Sequence, residues 1–114
     1  MNIRRFVKDK AFKAHKGTVL ASDFLPAGLA APFKSAYGYL ENHASMEGHA
    51  HPAVEIYVVM KGRGRMTVGD ESADVEPGDV VEIPSNVYHT LTCSDGGPLL
   101  WAALWWPQQP QQKG

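Results

Sequence analysis

His49-Ala50-His51-Pro52-Ala53-Val54-Glu55-Ile56-Tyr57-Val58-Val59-Met60-Lys61-Gly62-Arg63-Gly64-Arg65-Met66-Thr67-Val68-Gly69-Asp70 is the stretch that decides the fold class. Val54–Met60 reads as a strand, with Glu55, Tyr57 and Val59 on one face and Ile56, Val58 and Met60 on the other. Gly62-Arg63-Gly64 turns the chain back into a second strand, Arg65–Val68. Gly69-Asp70 supplies another hairpin turn, its glycine giving the positive φ that such turns need.

The same rhythm continues outward in both directions. Short apolar runs alternate with Gly, Pro, Asn and Asp at the spacing of about 8–12 residues that marks a sandwich or barrel. The remaining strands are expected at Thr18–Ala21, Ser35–Glu41, Ser72–Val75, Val80–Ile83, Val87–Cys93 and Leu99–Trp105, with a tight turn at Pro77-Gly78-Asp79. Pro26–Pro32, rich in Ala and Gly, reads as a loop, and almost no helix is expected. The fold class is all-β, in a single domain over residues 1–106. The polar, proline-punctuated tail, residues 107–114, is expected to be disordered.

A chain of 114 residues can bury a core without disulfide or metal staples. The net charge of −1 leaves no basic footprint for nucleic acid and no acidic tail. The basic N-terminal residues Arg4, Arg5, Lys8, Lys10, Lys13 and Lys16 are diluted by Asp9 and apolar neighbours and read as a solvated face. Cys93 is the single cysteine, so no intrachain disulfide can form. The N-terminus lacks a signal-peptide pattern and no apolar run reaches membrane-spanning length. The expectation is a cytoplasmic protein without nucleic-acid or membrane partners.

His49, His51, Glu55 and His89 carry the chemistry. Neutral imidazoles and a carboxylate are the ligands that divalent first-row metals take. On an extended chain His49 and His51 point to the same side. His89, Leu91 and Cys93 likewise share a face. A fold that brings the start of Val54–Met60 beside the strand carrying His89 delivers three nitrogens and one oxygen to one point. On an ion accepting about six ligands, such a set leaves about two positions for water or substrate. Manganese, iron, nickel, cobalt and zinc all remain open.

His49-Ala50-His51-x3-Glu55-x6-Gly62 resembles the first motif of the cupin superfamily, and Gly78-Asp79-x3-Ile83-Pro84-x-Asn86-x2-His89 resembles the second. The short intermotif stretch, Arg63 to Glu76, is similar to that of small single-domain bacterial members. The resemblance covers roughly residues 35 to 105. It implies a double-stranded β-helix, or jelly-roll barrel, with His49, His51, Glu55 and His89 as ligands of one divalent transition metal. It also implies a homodimer packed sheet against sheet, which the two apolar faces of Leu99–Trp105 and the Ile56, Val58, Met60 face permit. Three positions depart from the family pattern. His43 stands where a glycine is frequent, Asn86 replaces another glycine but tolerates left-handed backbone, and Cys93 stands where asparagine often ends the second motif.

Tyr57, two residues beyond Glu55 on the same face, is the candidate catalytic residue, assisting proton movement; packing with an unrelated hydrogen bond is the simpler reading of the same position. Tyr37, Tyr39 and Glu41 line the pocket if the first long strand turns that face inward; otherwise Ala36, Gly38 and Leu40 do. His43 reads as a solvated loop residue near the mouth, His15 as surface, Cys93 as a small buried hydrophobe, and Arg63 and Arg65 as exposed turn residues. The functional expectation is a metal-dependent enzyme acting on a small polar metabolite. The substrate is a sugar derivative or a hydroxy or keto acid, transformed by Lewis-acid isomerase or lyase chemistry or by dioxygenase chemistry. The alternative is a barrel that binds or senses a metabolite without turnover.

Overall fold

Each run that the sequence marks as a strand forms one in the computed structural model, which describes residues 1–94 and 96–109. The strands are β1 (Phe12–Ala14), β2 (Val19–Ser22), β3 (Lys34–Leu40), β4 (Val54–Lys61), β5 (Gly64–Val68), β6 (Glu71–Val75), β7 (Val80–Ile83), β8 (His89–Cys93) and β9 (Leu99–Trp106), preceded by a 3-10 turn at Lys8–Lys10. Most of the expected disordered tail, residues 110–114, lies outside the described residues. Among those described, no helix is long and apolar enough to cross a membrane.

The strands form two antiparallel sheets, one ordered β1-β2-β3-β9-β4-β7 and the other β6-β5-β8. This is the all-β jelly roll that the motifs imply. The alternation in the sequence explains why the sheets pack face to face. Along β4, Glu55, Tyr57 and Val59 are buried while Ile56 and Val58 are only half-covered, and along β8 His89, Leu91 and Cys93 are buried with Thr90 and Thr92 between them. The inward residues meet in one core: Leu40, Tyr57, Val59, Met66, Ile83, Leu91, Leu99 and Trp101 belong to it. Burying a side chain of this size stabilises by about 1.5–3 kcal/mol, so period-2 patterning fixes which face turns in.

The register of β3, open in the sequence, is settled by Gly38. A Cβ there would stand 2.3 Å from Cε2 and Cζ2 of the Trp101 indole, so the buried ring lies flat against the strand. Gly38 and Leu40 therefore face the interior. The outer face carries Tyr37, which packs edge-on against Phe6 and Phe24, and Tyr39, which stacks on Phe6. The N-terminal segment thus covers this part of the large sheet. β1 had no signature in the sequence because its residues are exposed or half-exposed and do not alternate. It pairs with β2 through Phe12↔Ala21 and Ala14↔Val19 and extends the large sheet at its edge.

Candidate metal centre

The four candidate ligands come from both sheets and from the irregular segment between β3 and β4. That segment is strapped to β8 by backbone bonds: Met46 N donates to Leu91 O (2.9 Å), and His49 and His89 exchange both N–H···O bonds (3.1 and 2.9 Å). An antiparallel pair bonded in this way sets its two side chains on one face. On the other flank, Asn86 N donates to His51 O (2.7 Å) and Ser85 Oγ to Pro52 O (2.6 Å). Asn86 makes this turn with φ of 62°, the left-handed conformation its short amide side chain tolerates. Glu55 enters from β4 in the opposite sheet, paired with Ile83 and Trp105. A turn therefore delivers His89 and at the same time locks the arm that carries His51.

The ligand atoms all lie within 4.8 Å of one another. His49 Nε2 stands 3.0 Å from His89 Nε2, His51 Nε2 3.0 Å from Glu55 Oε1, and His89 Nε2 3.3 Å from the same carboxylate oxygen. Adjacent ligands about 2.1 Å from one ion are separated by about 3.0 Å, so these spacings fit a shared cation. Proton placement fits too. His51 Nδ1 faces Ala53 O at 3.0 Å and His89 Nδ1 faces Val87 O at 3.1 Å. A carbonyl only accepts, so each Nδ1 carries the hydrogen and each Nε2 turns a lone pair inward. With the carboxylate this makes a cluster of acceptors that needs a positive charge among them. Burial, reinforced by His15, His89 and His51, pushes the His49 pKa down to about 4, which keeps it the neutral imidazole a metal binds. Glu55 and His89 are buried, and His49 and His51 are half-buried toward the opening.

A family model described as a cupin domain matches residues 37–107, most of the chain. The chain belongs to the cupin family. No curated protein matches it in sequence. Among solved structures, this cupin is similar to a Cupin 2 conserved barrel domain protein from Salinispora arenicola (TM-score 0.81, 23% identity, 93% of this chain and 88% of that chain covered). It is equally similar in fold to a protein from Photorhabdus luminescens (TM-score 0.81, 26% identity, 95% and 90% covered). A third likeness is to a Thermotoga maritima protein described as a predicted oxalate decarboxylase (TM-score 0.74, 17% identity, 92% and 100% covered).

The remaining candidates in this cupin are dispersed. Tyr57 is buried beneath the centre with its ring perpendicular to that of His89 (centroids 6.0 Å apart), and its hydroxyl donates to Met46 Sδ at 3.4 Å. Burial holds its pKa well above the usual tyrosine value. Tyr39 and Glu41 meet each other on the outer face, where Glu41 also pairs with Lys8. Arg63 and Arg65 pair with Glu76 (2.6 Å) and Asp74 (3.1 Å) across the β5–β6 hairpin. His43 is exposed and sits beside Cys93, four residues along β8 from His89, a separation of roughly 13 Å at strand rise. The frequent glycine it replaces has a reason here: His43 adopts φ of 66°. Cys93 is buried, and burial raises its thiol pKa.

His15, read from the sequence as surface, instead joins the centre. Its ring lies 4.4 Å from that of His49, centroid to centroid, and burial lowers its pKa. It occupies the β1–β2 turn, where His15 and Lys16 have φ of 50° and 57°. Gly17 follows at 82°, so three consecutive left-handed residues turn the chain within a four-residue loop, closed by Gly17 N to Ala14 O (3.0 Å) and Thr18 N to His15 O (3.2 Å). Thr18 Oγ1 donates to His15 O (2.7 Å) and accepts from Glu47 N (2.8 Å), which ties the turn to the segment leading into His49. With β1 unmarked in the sequence, nothing there announced a hairpin that reaches the centre.

Proposed function

We propose that this protein is a metal-dependent enzyme in which His49, His51, Glu55 and His89 hold one divalent transition metal against a small, oxygen-bearing metabolite. The observation that carries the reading is the convergence of three imidazole nitrogens and a carboxylate within 4.8 Å, at the edge of a cavity. The substrate is a sugar derivative or a hydroxy or keto acid. When bound, the ion supplies Lewis acidity toward a substrate oxygen or an electron-transfer centre for dioxygen. The chain's own part is to hold that ion in a dry, rigid corner. Tyr57, the candidate for proton movement, acts in this reading as the brace beneath His89, because its hydroxyl is engaged with Met46.

Elemental analysis of freshly purified protein followed by a metabolite turnover screen tests this. Stoichiometric metal and metal-dependent product are expected. Equal rates with zinc and with iron or manganese assign Lewis-acid chemistry, whereas oxygen uptake with the redox metals alone assigns dioxygenase chemistry. Saturable ligand binding without product under any metal would replace the enzyme by a metabolite-binding barrel.

In the same reading the protein works as a homodimer. The outer face of the large sheet lines up Ile56 and Val58 of β4 with Leu104 and the buried Ala102 of β9 and with Val80 and Glu82 of β7, and Val80 is 61% exposed with Met60 at 44%. An apolar sheet face of this kind favours a second copy. Sedimentation should give a dimer mass that falls to the monomer in a Val58→Glu, Val80→Glu double variant. A wild-type monomer at micromolar concentration would end this part of the proposal.

A further inference from the structure

The cavity that opens on His49, His51 and Glu55, with His89 buried behind them, has a volume of about 460 Å³ and is unevenly furnished. His15, His49, His51 and Glu55 gather at one end. Apart from Tyr37, the rest of the wall is apolar, built chiefly from Phe12, Val19, Ala21, Ala36, Trp101 and Trp105. Among the described lining residues there is no Lys, Arg, Asn, Gln, Ser or Thr.

We infer that the pocket takes a flat, apolar molecule, an aromatic ring bearing one metal-chelating oxygen head, and that His15 meets that head. The inference rests on the metal reading above and narrows its ligand to an aromatic hydroxy or keto acid, setting the sugar derivative aside. The volume falls in the range of about 300–1,000 Å³ typical of small-molecule sites and has room for one or two rings. A polyhydroxylated body would bury hydroxyls against a wall with few partners for them, which costs about 1–3 kcal/mol for each group left unsatisfied. A free dicarboxylate would place its second charge there with no cation to receive it. An aromatic body instead gains from burial and from offset or edge contacts with the indoles of Trp101 and Trp105. The small side chains Ala21 and Ala36 leave the space that it occupies. Above the polar end, the β1–β2 turn holds the His15 imidazole next to His49 in a left-handed conformation that is costly for a non-glycine residue. With its ring 4.4 Å from that of His49, this imidazole would stand within reach of an oxygen head held beside the candidate ligands.

Three hydroxamates with one chelating head and different bodies separate these terms on the Co(II)-loaded protein, with binding read from the visible cobalt spectrum and from tryptophan fluorescence. Benzohydroxamate is expected to bind about 10- to 100-fold more tightly than acetohydroxamate, the gain from burying one phenyl ring. Gluconohydroxamate is expected to gain nothing over acetohydroxamate. Equal affinities for the phenyl and methyl bodies, or a preference for the sugar-like body, would overturn the ligand class while leaving the metal centre standing. Absence of any cobalt spectrum would overturn the metal reading itself. His15→Gly keeps the left-handed turn and removes the imidazole. It should weaken benzohydroxamate and acetohydroxamate by a similar factor of about 10, with Co(II) affinity unchanged. Unchanged hydroxamate affinities in that variant would remove His15 from the site.

Discussion

Divalent metal is expected to raise the melting temperature of the wild-type protein by about 15 °C, and His89→Ala is expected to abolish the shift. A ligand that binds only the folded state stabilises it by about 4 kcal/mol when present at a thousandfold excess over its dissociation constant. For a domain of this size each kcal/mol is worth roughly 4 °C. His89 is the right residue to remove because it is fully buried, and its Nδ1 is committed to Val87 O, so Nε2 faces the other ligands. Without it the set falls to two imidazoles and a carboxylate. The metal-free variant should still fold, since the deletion also relieves the crowding of acceptors at 3.0–3.3 Å. His43→Gly is the matched control: it removes a histidine beside Cys93 at a left-handed position and should retain the full shift. Differential scanning calorimetry with and without each metal, with far-ultraviolet dichroism as the folding control, decides the matter. A His89→Ala protein stabilised as much as wild type would disprove the assigned ligand set.

How far the sequence went depended on whether a residue's role was written in local spacing or only in tertiary contacts. Glu55, Tyr57 and Val59 announce their shared face because period-2 alternation is a property of the strand itself. The grouping of His49, His51 and Glu55 was legible in their spacing, while His89 joined them only through the resemblance of its motif, because a fold alone brings it to the same point. The inward face of β3 was not legible, since Tyr37 and Tyr39 on one face and Ala36, Gly38 and Leu40 on the other can all pack against a core. What decides it is the indole of Trp101, far along the chain, which can rest only on a residue without a Cβ. The tyrosines then find cover under Phe6 and Phe24, in an N-terminal segment whose basic residues had marked it only as solvated. His15 escaped for a related reason. A short edge strand without alternation hid the hairpin, and the position of its tip beside His49 is fixed by Thr18 and Glu47, not by any spacing to the ligands. His43 shows the converse: proximity to His49 in sequence gave no proximity to the centre, because the intervening chain runs the length of β8.

The motif glycines separate backbone duty from ligand duty, and Gly62→Ala is expected to cost at least about 3 kcal/mol of stability while leaving the metal centre intact. Gly62 has φ of 82°, and a Cβ would stand 2.2 Å from Pro98 O and 3.0 Å from Leu99 Cα. Those are backbone atoms at the entrance to β9, so no side chain can swing aside; the chain itself must move. The left-handed conformation adds about 1–2 kcal/mol of its own for a residue with a side chain. The strain falls on the β4–β9 pair at the register shift between Val59 and Lys61, in the middle of the large sheet. Glu55 lies seven residues back along β4, roughly 23 Å at strand rise, beyond the reach of a local displacement. Gly78, the corresponding glycine of the second motif, has φ of 97° but nothing within 4 Å of its Cβ position. Gly78→Ala should therefore cost only the conformational part, about 1–2 kcal/mol. Urea titrations of the two variants should show Gly62→Ala as the less stable, with both still giving the metal-induced rise in melting temperature. The opposite order would mean that the Pro98 carbonyl yields easily and that conformation alone fixes these glycines. A Gly62→Ala protein that folds but no longer responds to metal would mean that the end of β4 sets the position of Glu55 over a distance at which the sheet should be stiff.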